Sequence, residues 1–303
     1  MTEIYPLRDI DHEQINASHK EFEAENEAAI QLAKSCDCAP MPTLNHLTRR
    51  DYQNVYEPSD DTFLLLDGLN IDFGNTCMND DVENEQVERS RNNVKYDKNT
   101  VNTVEIGGGT GVASIFLAQL LSESHPDHVR NHFVTDINPE AIRITHETAQ
   151  CNNNTKSEFS IQTIQCDLAT ELLHEHTNKI DVLLFNPPYV PTPPEEVGSS
   201  GIEASWAGGE NGRVVTDRAL PQIAQLLKYP GGVGYLITVD ENLPLEMKKD
   251  LWDNYGMNMI PFVRRKAWNE NLTVHKLTLT RKLSWNVDNN DVKPKDEVLQ
   301  LEK

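Results

Sequence analysis

Glu105-Ile106-Gly107-Gly108-Gly109-Thr110-Gly111 is a glycine-rich stretch between an apolar run at residues 101–106 and residues 112–121, which are apolar at helical spacing. This order predicts a strand, a tight turn and a helix. Glycines let the backbone approach a ligand closely, and the first N–H groups of the helix face that ligand. Dinucleotide-binding loops share this layout, but Glu105 would repel a pyrophosphate. The leading acid instead favours a cationic nucleotide such as S-adenosylmethionine, with Glu105 near its amino group.

Strands and helices alternate on both sides of this stretch. Such alternation predicts an α/β fold with a mostly parallel sheet covered on both faces, whose ligands bind beyond the carboxyl ends of the strands. The predicted strands are residues 101–106, 132–136, 159–165, 180–185, 232–239 and 272–280, and the predicted helices are residues 112–121, 139–151 and 216–227.

Two acids close the next two predicted strands. Asp136 is placed to accept both ribose hydroxyls of a nucleotide, or else it caps the helix that begins at Pro139. Asn138 has the better spacing for that cap, which leaves Asp136 for a ligand. Asp167 is placed to accept from an adenine amino group with Leu168 covering the ring, and a helix cap is an equal alternative.

The turn Asn186-Pro187-Pro188-Tyr189 follows the apolar strand at residues 180–185. Asn186 offers a side-chain carbonyl and Pro187 a backbone carbonyl, and proline has no N–H to compete with them. An amino group on a planar carbon has two hydrogens to donate, so this turn suits an amide or a base amino group, with Tyr189 packing against its face. The alternative is an ordinary proline-rich turn leaving a strand.

Composition limits the partners and the compartment. The net charge of −21 gives no basic footprint for duplex nucleic acid, and we predict that the one tight basic cluster, Arg264-Arg265-Lys266, is a solvated loop. The five cysteines have no framework spacing and no signal peptide precedes them, which predicts a reducing location: the cytoplasm, with the nucleus as an alternative. The scattered histidines predict no metal site, and no apolar stretch is long enough to cross a bilayer.

Three segments differ in composition from the rest. Residues 1–42 are acidic and are predicted to be a mobile or loosely docked extension, with a short helix within it. Residues 43–283 form the predicted catalytic domain, interrupted by an acidic insertion at residues 72–99. Residues 284–303 lose the hydrophobic pattern and are predicted to be a tail.

Over residues 43–280 the chain resembles the eukaryotic release-factor glutamine methyltransferases, a branch of the HemK-like family. Residues 201–204 and Trp206-Ala207-Gly208-Gly209-Glu210-Asn211-Gly212-Arg213 are particular to this branch. The matching segments are residues 55–67, 105–111, 135–141, 186–190, 192–198, 201–204 and 206–213.

The resemblance implies a class I methyltransferase fold with a seven-stranded, mostly parallel sheet. It implies that S-adenosylmethionine donates a methyl group to the glutamine amide of a Gly-Gly-Gln motif in the class 1 translation release factor. The family positions that match Thr62, Glu105, Gly107, Asp136, Asp167 and Leu168 line the cofactor, and we add Gly109 and Asn186. The expected catalytic residues are Asn186, Pro187 and Tyr189, and Pro188 joins them in binding the substrate.

The resemblance also implies a partner protein, and it leaves alternative functions open. The family works as a heterodimer with a small zinc-binding activator, which we expect to add a strand to an exposed edge at residues 159–165. Relatives have been proposed to methylate histone lysine or the amino group of DNA adenine. A scaffold that binds S-adenosylmethionine without catalysis is a further alternative, and no position needed for the chemistry is degraded.

Overall fold

The computed structural model describes residues 12–35, 39–74, 100–124, 129–153, 159–198, 202–268 and 270–285. Its helices are α1 His12–Ser35, α2 Asp60–Phe73, α3 Val112–Ser124, α4 Pro139–Asn152, α5 Leu173–His176, α6 Val214–Leu226 and α7 Pro244–Tyr255. Its strands are β1 Thr100–Ile106, β2 Val129–Asp136, β3 Ile161–Gln165, β4 Val182–Phe185, β5 Val190–Pro191, β6 Ala207–Gly209, β7 Val233–Thr238, β8 Met257–Ala267 and β9 Glu270–Leu279.

Seven of these strands form one sheet in the order β3-β2-β1-β4-β7-β9-β8. The strands β3, β2, β1, β4 and β7 run parallel, and β9 is antiparallel to both of its neighbours. In β1, Ile106 lies opposite both Thr135 of β2 and Phe185 of β4. The three strands therefore end level with one another, and the residues after them meet at one edge. The predicted mostly parallel seven-stranded sheet, and with it the class I methyltransferase fold, is confirmed.

Helices cover both faces of the sheet. Leu184 packs into the apolar cluster that holds α2 and α3, whereas its neighbours Leu183 and Phe185 pack on the opposite side with α6 and α7. This alternation follows from the period of two along a strand, which makes a β4 that is apolar throughout suitable for burial on both faces. Packing on both faces holds the carboxyl ends of the strands in place.

Several elements of the structure were not predicted from the sequence: α2, α5, α7, β5, β6 and β8. Of these, β8 and α7 pack against each other. The basic cluster predicted as a solvated loop lies in β8, so that prediction was wrong. Arg264 donates to Asp240 at 2.8 Å, and Arg265 pairs with Asp67 of α2. These cations are held by acids of the same chain.

The predicted extension contains the helix expected within it, α1. We predicted it as a mobile or loosely docked segment, but α1 packs against β8, with Phe22 and Ala29 buried and Glu25 paired with Lys248 at 2.9 Å. Residues 1–11 and 36–38 lie outside the described residues, and mobility of the extension stays a prediction.

The other segment boundaries are tested only in part. The chain is helical to Phe73, so the first residues of the predicted insertion belong to α2, and residues 75–99 lie outside the described residues. In the predicted tail, Trp285 stacks on Tyr255 of α7, and residues 286–303 are not described. Among the described helices, none has the length and apolar character of a membrane-spanning segment.

Candidate active site

A cavity of about 440 Å³ lies beyond the carboxyl ends of β1, β2 and β4. This is the position at which parallel sheets with crossover helices bind their ligands. Ten of the sequence-predicted site residues line it, and Tyr189 does not. The ten are Thr62, Glu105, Gly107, Gly109, Asp136, Asp167, Leu168, Asn186, Pro187 and Pro188.

The glycine turn after β1 forms the floor of the cavity. Gly107 and Gly109 have φ values of 71° and 55°, in the left-handed region that favours glycine. A Cβ atom added to Gly107 would meet no atom within 4 Å, whereas one on Gly108 would overlap the Val134 side chain. The turn thus presents bare backbone to the cavity, and Gly108 has no side chain because β2 passes directly behind it.

Glu105 closes the inner end of the cavity. It is only 5% exposed, and the backbone N–H of Ser114 in α3 donates to its Oε2 at 3.0 Å. Burial raises the pKa of this carboxyl to about 7 despite that hydrogen bond. A buried acid poised near neutrality is well placed to accept a cationic group of a ligand.

Asp136 is held by two backbone donors. The N–H of Gly109 lies 3.0 Å from Oδ2, and the N–H of Asn138 lies 2.8 Å from Oδ1. Burial nevertheless raises the pKa of Asp136. Asn138 caps α4 by accepting from the N–H of Glu140 at 2.9 Å, as its spacing predicted. Asp136 is therefore not needed as the helix cap.

Asp167 and Leu168 form the opposite wall. The Asp167 carboxylate pairs with Arg218 of α6, and both side chains are about half exposed. The following turn at Thr170–Leu172 has no side-chain cap, so the cap alternative for Asp167 is wrong. Leu168 is buried with a φ of 54°, a strained value for a leucine. Its side chain is one of those that line the cavity.

These walls fit S-adenosylmethionine. The donor set comprises an acid near neutrality at Glu105, an oriented carboxylate at Asp136, open backbone at Gly107 and an apolar cover at Leu168. In this set Glu105 suits the amino group of the ligand, Asp136 suits its ribose, and Leu168 suits its flat base. Among the described residues, no group of His, Cys, Asp or Glu is arranged to hold a metal ion.

Asn186 stands where β4 ends at the cavity. Its Nδ2 donates to Oδ2 of Asp61 at 3.0 Å. Its Oδ1 is buried, and no donor in the described part of the chain reaches it. A buried acceptor without a partner is costly and uncommon, and a ligand donor is the natural way to satisfy it.

Asp61, in the first turn of α2, was not singled out from the sequence. It is 3% exposed, and its Oδ1 accepts from the N–H of Thr62 at 2.6 Å. Burial, reinforced by the Asp61 charge, raises the pKa of Tyr56 to about 12 and raises the pKa of Tyr189 further. Both phenols therefore remain neutral donors. The only sequence signal was that Asp61 immediately precedes Thr62, which was assigned to the site.

Tyr189 contributes differently from the prediction. We expected its ring to wall the planar group, but its hydroxyl donates to Oδ2 of Asp61 at 3.3 Å and the residue does not line the cavity. Its carbonyl accepts from Nδ2 of Asn242 at 2.8 Å. Tyr189 thus supports Asp61, and the packing of its ring against the substrate stays a prediction.

Residues 206–213 hold the Asn-Pro-Pro-Tyr turn from behind. The N–H of Val190 donates to the carbonyl of Trp206 at 2.9 Å, which joins β5 to β6. Gly208 and Gly212 lie so close that an added Cβ atom would overlap the carbonyl oxygens of Pro188 and Tyr189, respectively. The glycines of this segment are required for the backbone contact.

Arg213 anchors the end of this segment. Its guanidinium is mostly buried and pairs with Asp217 of α6 at 3.0 Å and with Asp250 of α7 at 3.3 Å. These contacts fix the position of α6 relative to α7, so Arg213 has a structural role away from the cavity.

Known proteins with similar sequences support this reading of the site. The Homo sapiens protein "Methyltransferase HEMK2" is 41% identical over 237 residues, which cover 78% of this chain and 95% of that relative. The Schizosaccharomyces pombe protein "eRF1 methyltransferase catalytic subunit mtq2" is 31% identical over 240 residues, covering 78% and 94%. A Methanocaldococcus jannaschii protein with the provisional name protein N5-glutamine methyltransferase is 32% identical over 185 residues, covering 61% and 73%.

No family model matches the chain. The two eukaryotic relatives are matched over almost their whole length. The chain belongs to the HemK-like family of S-adenosylmethionine-dependent release-factor glutamine methyltransferases.

Proposed function

We propose that this enzyme methylates the side-chain amide nitrogen of the glutamine in the Gly-Gly-Gln motif of the class 1 release factor eRF1. The observation that carries the proposal is Oδ1 of Asn186, a buried acceptor that receives no hydrogen bond from the described residues, on a residue that lines the cavity. The names of the Schizosaccharomyces pombe and Methanocaldococcus jannaschii relatives, which refer to eRF1 and to N5-glutamine, support the substrate.

The chemical difficulty lies with the nucleophile. The lone pair of an amide nitrogen is delocalised into its carbonyl, so the nitrogen is a poor nucleophile. S-adenosylmethionine, when bound, supplies a methyl group that is already activated by its positive sulfur. Asn186 Oδ1 and the Pro187 carbonyl would accept hydrogen bonds from the two N–H groups of the substrate amide. These bonds would orient the lone pair of the nitrogen and stabilise the positive charge that develops on it.

Charge favours a protein over DNA as the substrate. The net charge of −21 opposes the approach of a polyphosphate, and the arginine at the cavity, Arg218, is paired with Asp167. An adenine amino group offers the same two hydrogens, so the Asn-Pro-Pro-Tyr turn alone does not separate the two substrates. The alternatives, DNA adenine and histone lysine, belong in the test.

The test is incorporation of a labelled methyl group from S-adenosylmethionine. Purified enzyme is incubated separately with eRF1, with eRF1 whose motif glutamine is replaced by glutamate, with histones and with a DNA oligonucleotide. We expect label in eRF1 alone, and mass spectrometry should place it on the motif glutamine. Label on DNA or histone with none on eRF1 would overturn the proposal, as would equal labelling of the glutamate variant.

We further propose that the active form is a heterodimer with a small zinc-binding activator. The Schizosaccharomyces pombe relative is named a catalytic subunit, which implies a second subunit in that protein. In this chain β3 lies at the edge of the sheet, as predicted, and its outer backbone groups can take an added strand.

Cytoplasmic location, with the nucleus as an alternative, stays a prediction.

Co-expression tests this partnership. We expect the enzyme to co-purify in equal amounts with the activator, to carry zinc only in that complex and to gain solubility and activity. Full activity of the isolated chain, or a complex that forms unchanged when β3 carries a proline at Thr163, would contradict it. Thermal unfolding of the Thr163→Pro variant alone controls for loss of the fold.

A further inference from the structure

We propose that Asp61 is the positioning residue of this reaction: it fixes the direction of the Asn186 amide and places a carboxylate close to the position of the substrate nitrogen. The inference rests on the proposed function, because it concerns how the same site recognises an amide. It makes Asp61 the group that decides which hydrogen-bonding pattern the cavity accepts.

The direction of the Asn186 amide follows from what each group can donate. An ionised carboxylate only accepts hydrogen bonds, so the group of Asn186 that faces Asp61 must be its NH₂. The carbonyl Oδ1 is then left for the cavity. Without a fixed acceptor at Asp61, the amide is free to rotate and to present NH₂ to the substrate instead.

Asp61 is itself held in one orientation. Its Oδ1 accepts from the N–H of Thr62 at 2.6 Å and from the Thr62 hydroxyl at 3.3 Å. Its Oδ2 accepts from Asn186 at 3.0 Å and from the Tyr189 hydroxyl at 3.3 Å. One oxygen is therefore fixed to α2, and the other faces the Asn-Pro-Pro-Tyr turn.

The charge of Asp61 has no cation beside it. Within the residues that the structure describes, no lysine, arginine or histidine forms an ion pair with this carboxylate, although it is only 3% exposed. An unpaired buried charge is costly unless something compensates it. Positive charge that develops on the substrate nitrogen, next to Asn186, is such a compensation.

This arrangement predicts discrimination between an amide and a carboxylate. A glutamine side chain brings two N–H donors to the acceptors, whereas a glutamate side chain brings oxygen and negative charge toward Oδ1 and Asp61. Sites built around a hydrogen bond to a substrate group reject analogues that lack it far more strongly than apolar pockets do. Asp61 is thus assigned to specificity as well as to rate.

Exchanging the two side chains separates positioning from simple structural support. Asp61→Asn keeps the shape but puts an NH₂ group where Oδ2 was, and Asn186→Asp puts two carboxylates side by side. In the double variant Asp61→Asn/Asn186→Asp, the new amide donates to the new carboxylate. The second oxygen of that carboxylate again faces the cavity, and the pair still carries one negative charge.

The measurement is kcat and KM for eRF1, in complex with the activator, for wild type, both single variants, the double variant and Asp60→Asn. The last is the matched control, since it makes the same chemical change one residue away, outside the cavity lining. Thermal unfolding and S-adenosylmethionine binding are measured for each protein to show that the fold and the cofactor site are intact.

We expect Asp61→Asn to lower kcat by roughly ten- to a hundredfold, the usual effect of losing a hydrogen bond to a charged group. Asn186→Asp should be at least as slow, and Asp60→Asn should match wild type. The double variant should exceed the slower single variant by about tenfold or more, since contacting residues show coupling of this size. A merely structural role for Asp61 gives no such rescue.

Two failures are distinguishable. If wild type labels eRF1 on glutamine but Asp61→Asn keeps the wild-type kcat, or the double variant is no better than the worse single variant, the inference about Asp61 is wrong and the proposed function stands. If wild type puts no label on eRF1 glutamine under any condition, the proposed function itself fails.

Discussion

At the scale of single residues, one oxygen atom carries the proposed chemistry. Replacing Asn186 with alanine removes Oδ1, and we expect the activation barrier to rise by roughly 2–4 kcal/mol, the range seen when one preorganised group is removed from a charge-stabilising site. Single-turnover methylation of eRF1 measures this directly. S-adenosylmethionine binding, measured separately, should weaken much less than turnover, since the site keeps its glycine turn, Glu105 and Asp136.

The control for this variant is Asn271→Ala. That residue also loses a side-chain hydrogen bond, to Asp240 at 2.7 Å, but outside the cavity lining. Its turnover should equal that of wild type. Normal turnover of Asn186→Ala together with normal cofactor affinity would remove the central argument for the site.

Glu105 gives the cofactor site a dependence on pH. Its pKa of about 7 in the folded protein lies above the ordinary value of 4.5, and a bound ammonium group favours the ionised form. Affinity for S-adenosylmethionine should therefore rise between about pH 6 and about pH 8 as Glu105 loses its proton. Calorimetric titrations of wild type and Glu105→Gln check this, and an equal pH dependence in the two proteins would contradict it.

The same shift has the opposite sign for folding. A carboxyl with a raised pKa binds its proton more tightly in the folded state, so it stabilises the empty protein below its unfolded pKa of 4.5. That contribution is lost as the pH rises through about 7. Above about pH 7, Glu105 therefore favours binding of the ligand, but it no longer stabilises the protein without a ligand.

The sequence predicted the site residues that directly follow a strand. It missed Asp61, whose role depends on a residue far away in the chain. Asp136 and Asn138 were separated correctly, because capping depends on local spacing alone. Asp61 and Asn186 are 125 positions apart, and nothing local to Asp61 distinguishes it from Asp60. Their pairing depends on how α2 packs beside β4, which the spacing of residues does not report.

At the scale of elements, the segment 206–213 should be sensitive to a single methyl group. Gly212 has a φ of 65°, and a Cβ atom there would overlap the carbonyl oxygen of Tyr189. Gly212→Ala should displace the Asn-Pro-Pro-Tyr turn and reduce kcat by about tenfold or more, as misplacement of reacting groups by about 1 Å does. Steady-state kinetics on eRF1 gives the value.

Gly256→Ala is the control that separates the effect of backbone strain from the effect of displacing the Asn-Pro-Pro-Tyr turn. Gly256 ends α7 with a φ of 57°, and an added Cβ atom would meet mainly the flexible side chain of Arg281. Both variants should lose stability from the left-handed conformation, Gly212→Ala more so because of its overlap with backbone, but only Gly212→Ala should lose kcat. Equal kinetic losses would show that stability alone explains the effect.

The pattern of elements was predictable where periodicity is strong. β4 is apolar throughout, and the parallel strands alternate with helices along the chain, so the alternation of elements was predicted correctly. The pattern of β8 is interrupted by Pro261 and ends in Arg264-Arg265-Lys266, which indicates a loop when read alone. In the structure these cations find Asp240 and Asp67, and tertiary pairing overrides the local signal.

At the scale of the whole molecule, two buried histidines set the response to acid. Burial lowers the pKa of His132 to about 4 and that of His275 to about 3, and each ring has one nitrogen without a partner among the described residues. The unfolded chain binds protons at these residues below about pH 6.5, so stability falls as the pH drops through that range.

Chemical unfolding at two pH values tests this. From about pH 6.5 to about pH 5, wild type should lose roughly 2 kcal/mol more than His275→Gln, whose amide does not titrate. The Glu105 contribution is common to both proteins and cancels. His146→Gln, at an exposed position, should follow wild type; a His275→Gln protein that loses as much stability as wild type would contradict the assignment.

Net charge was readable from the sequence, but its distribution in three dimensions was not. Two of the three cations of the basic cluster, Arg264 and Arg265, are paired with acids of the chain, and weak binding to nucleic acid stays a prediction. The sequence allowed a loosely docked extension but did not indicate which residues of α1 would be buried. A helix can pack through two or three buried residues, here Phe22 and Ala29.

The position of residues 206–213 outside the main sheet has a genetic consequence. The residues that build the main sheet and its large apolar clusters are unchanged in a carrier of a substitution at Gly208 or Gly212, so folded polypeptide would still accumulate, although at reduced stability. Its release factor would nonetheless remain unmodified. For alleles of this gene, antibody staining is therefore a poor guide to phenotype, and the methylation state of the target protein is the measurement to make.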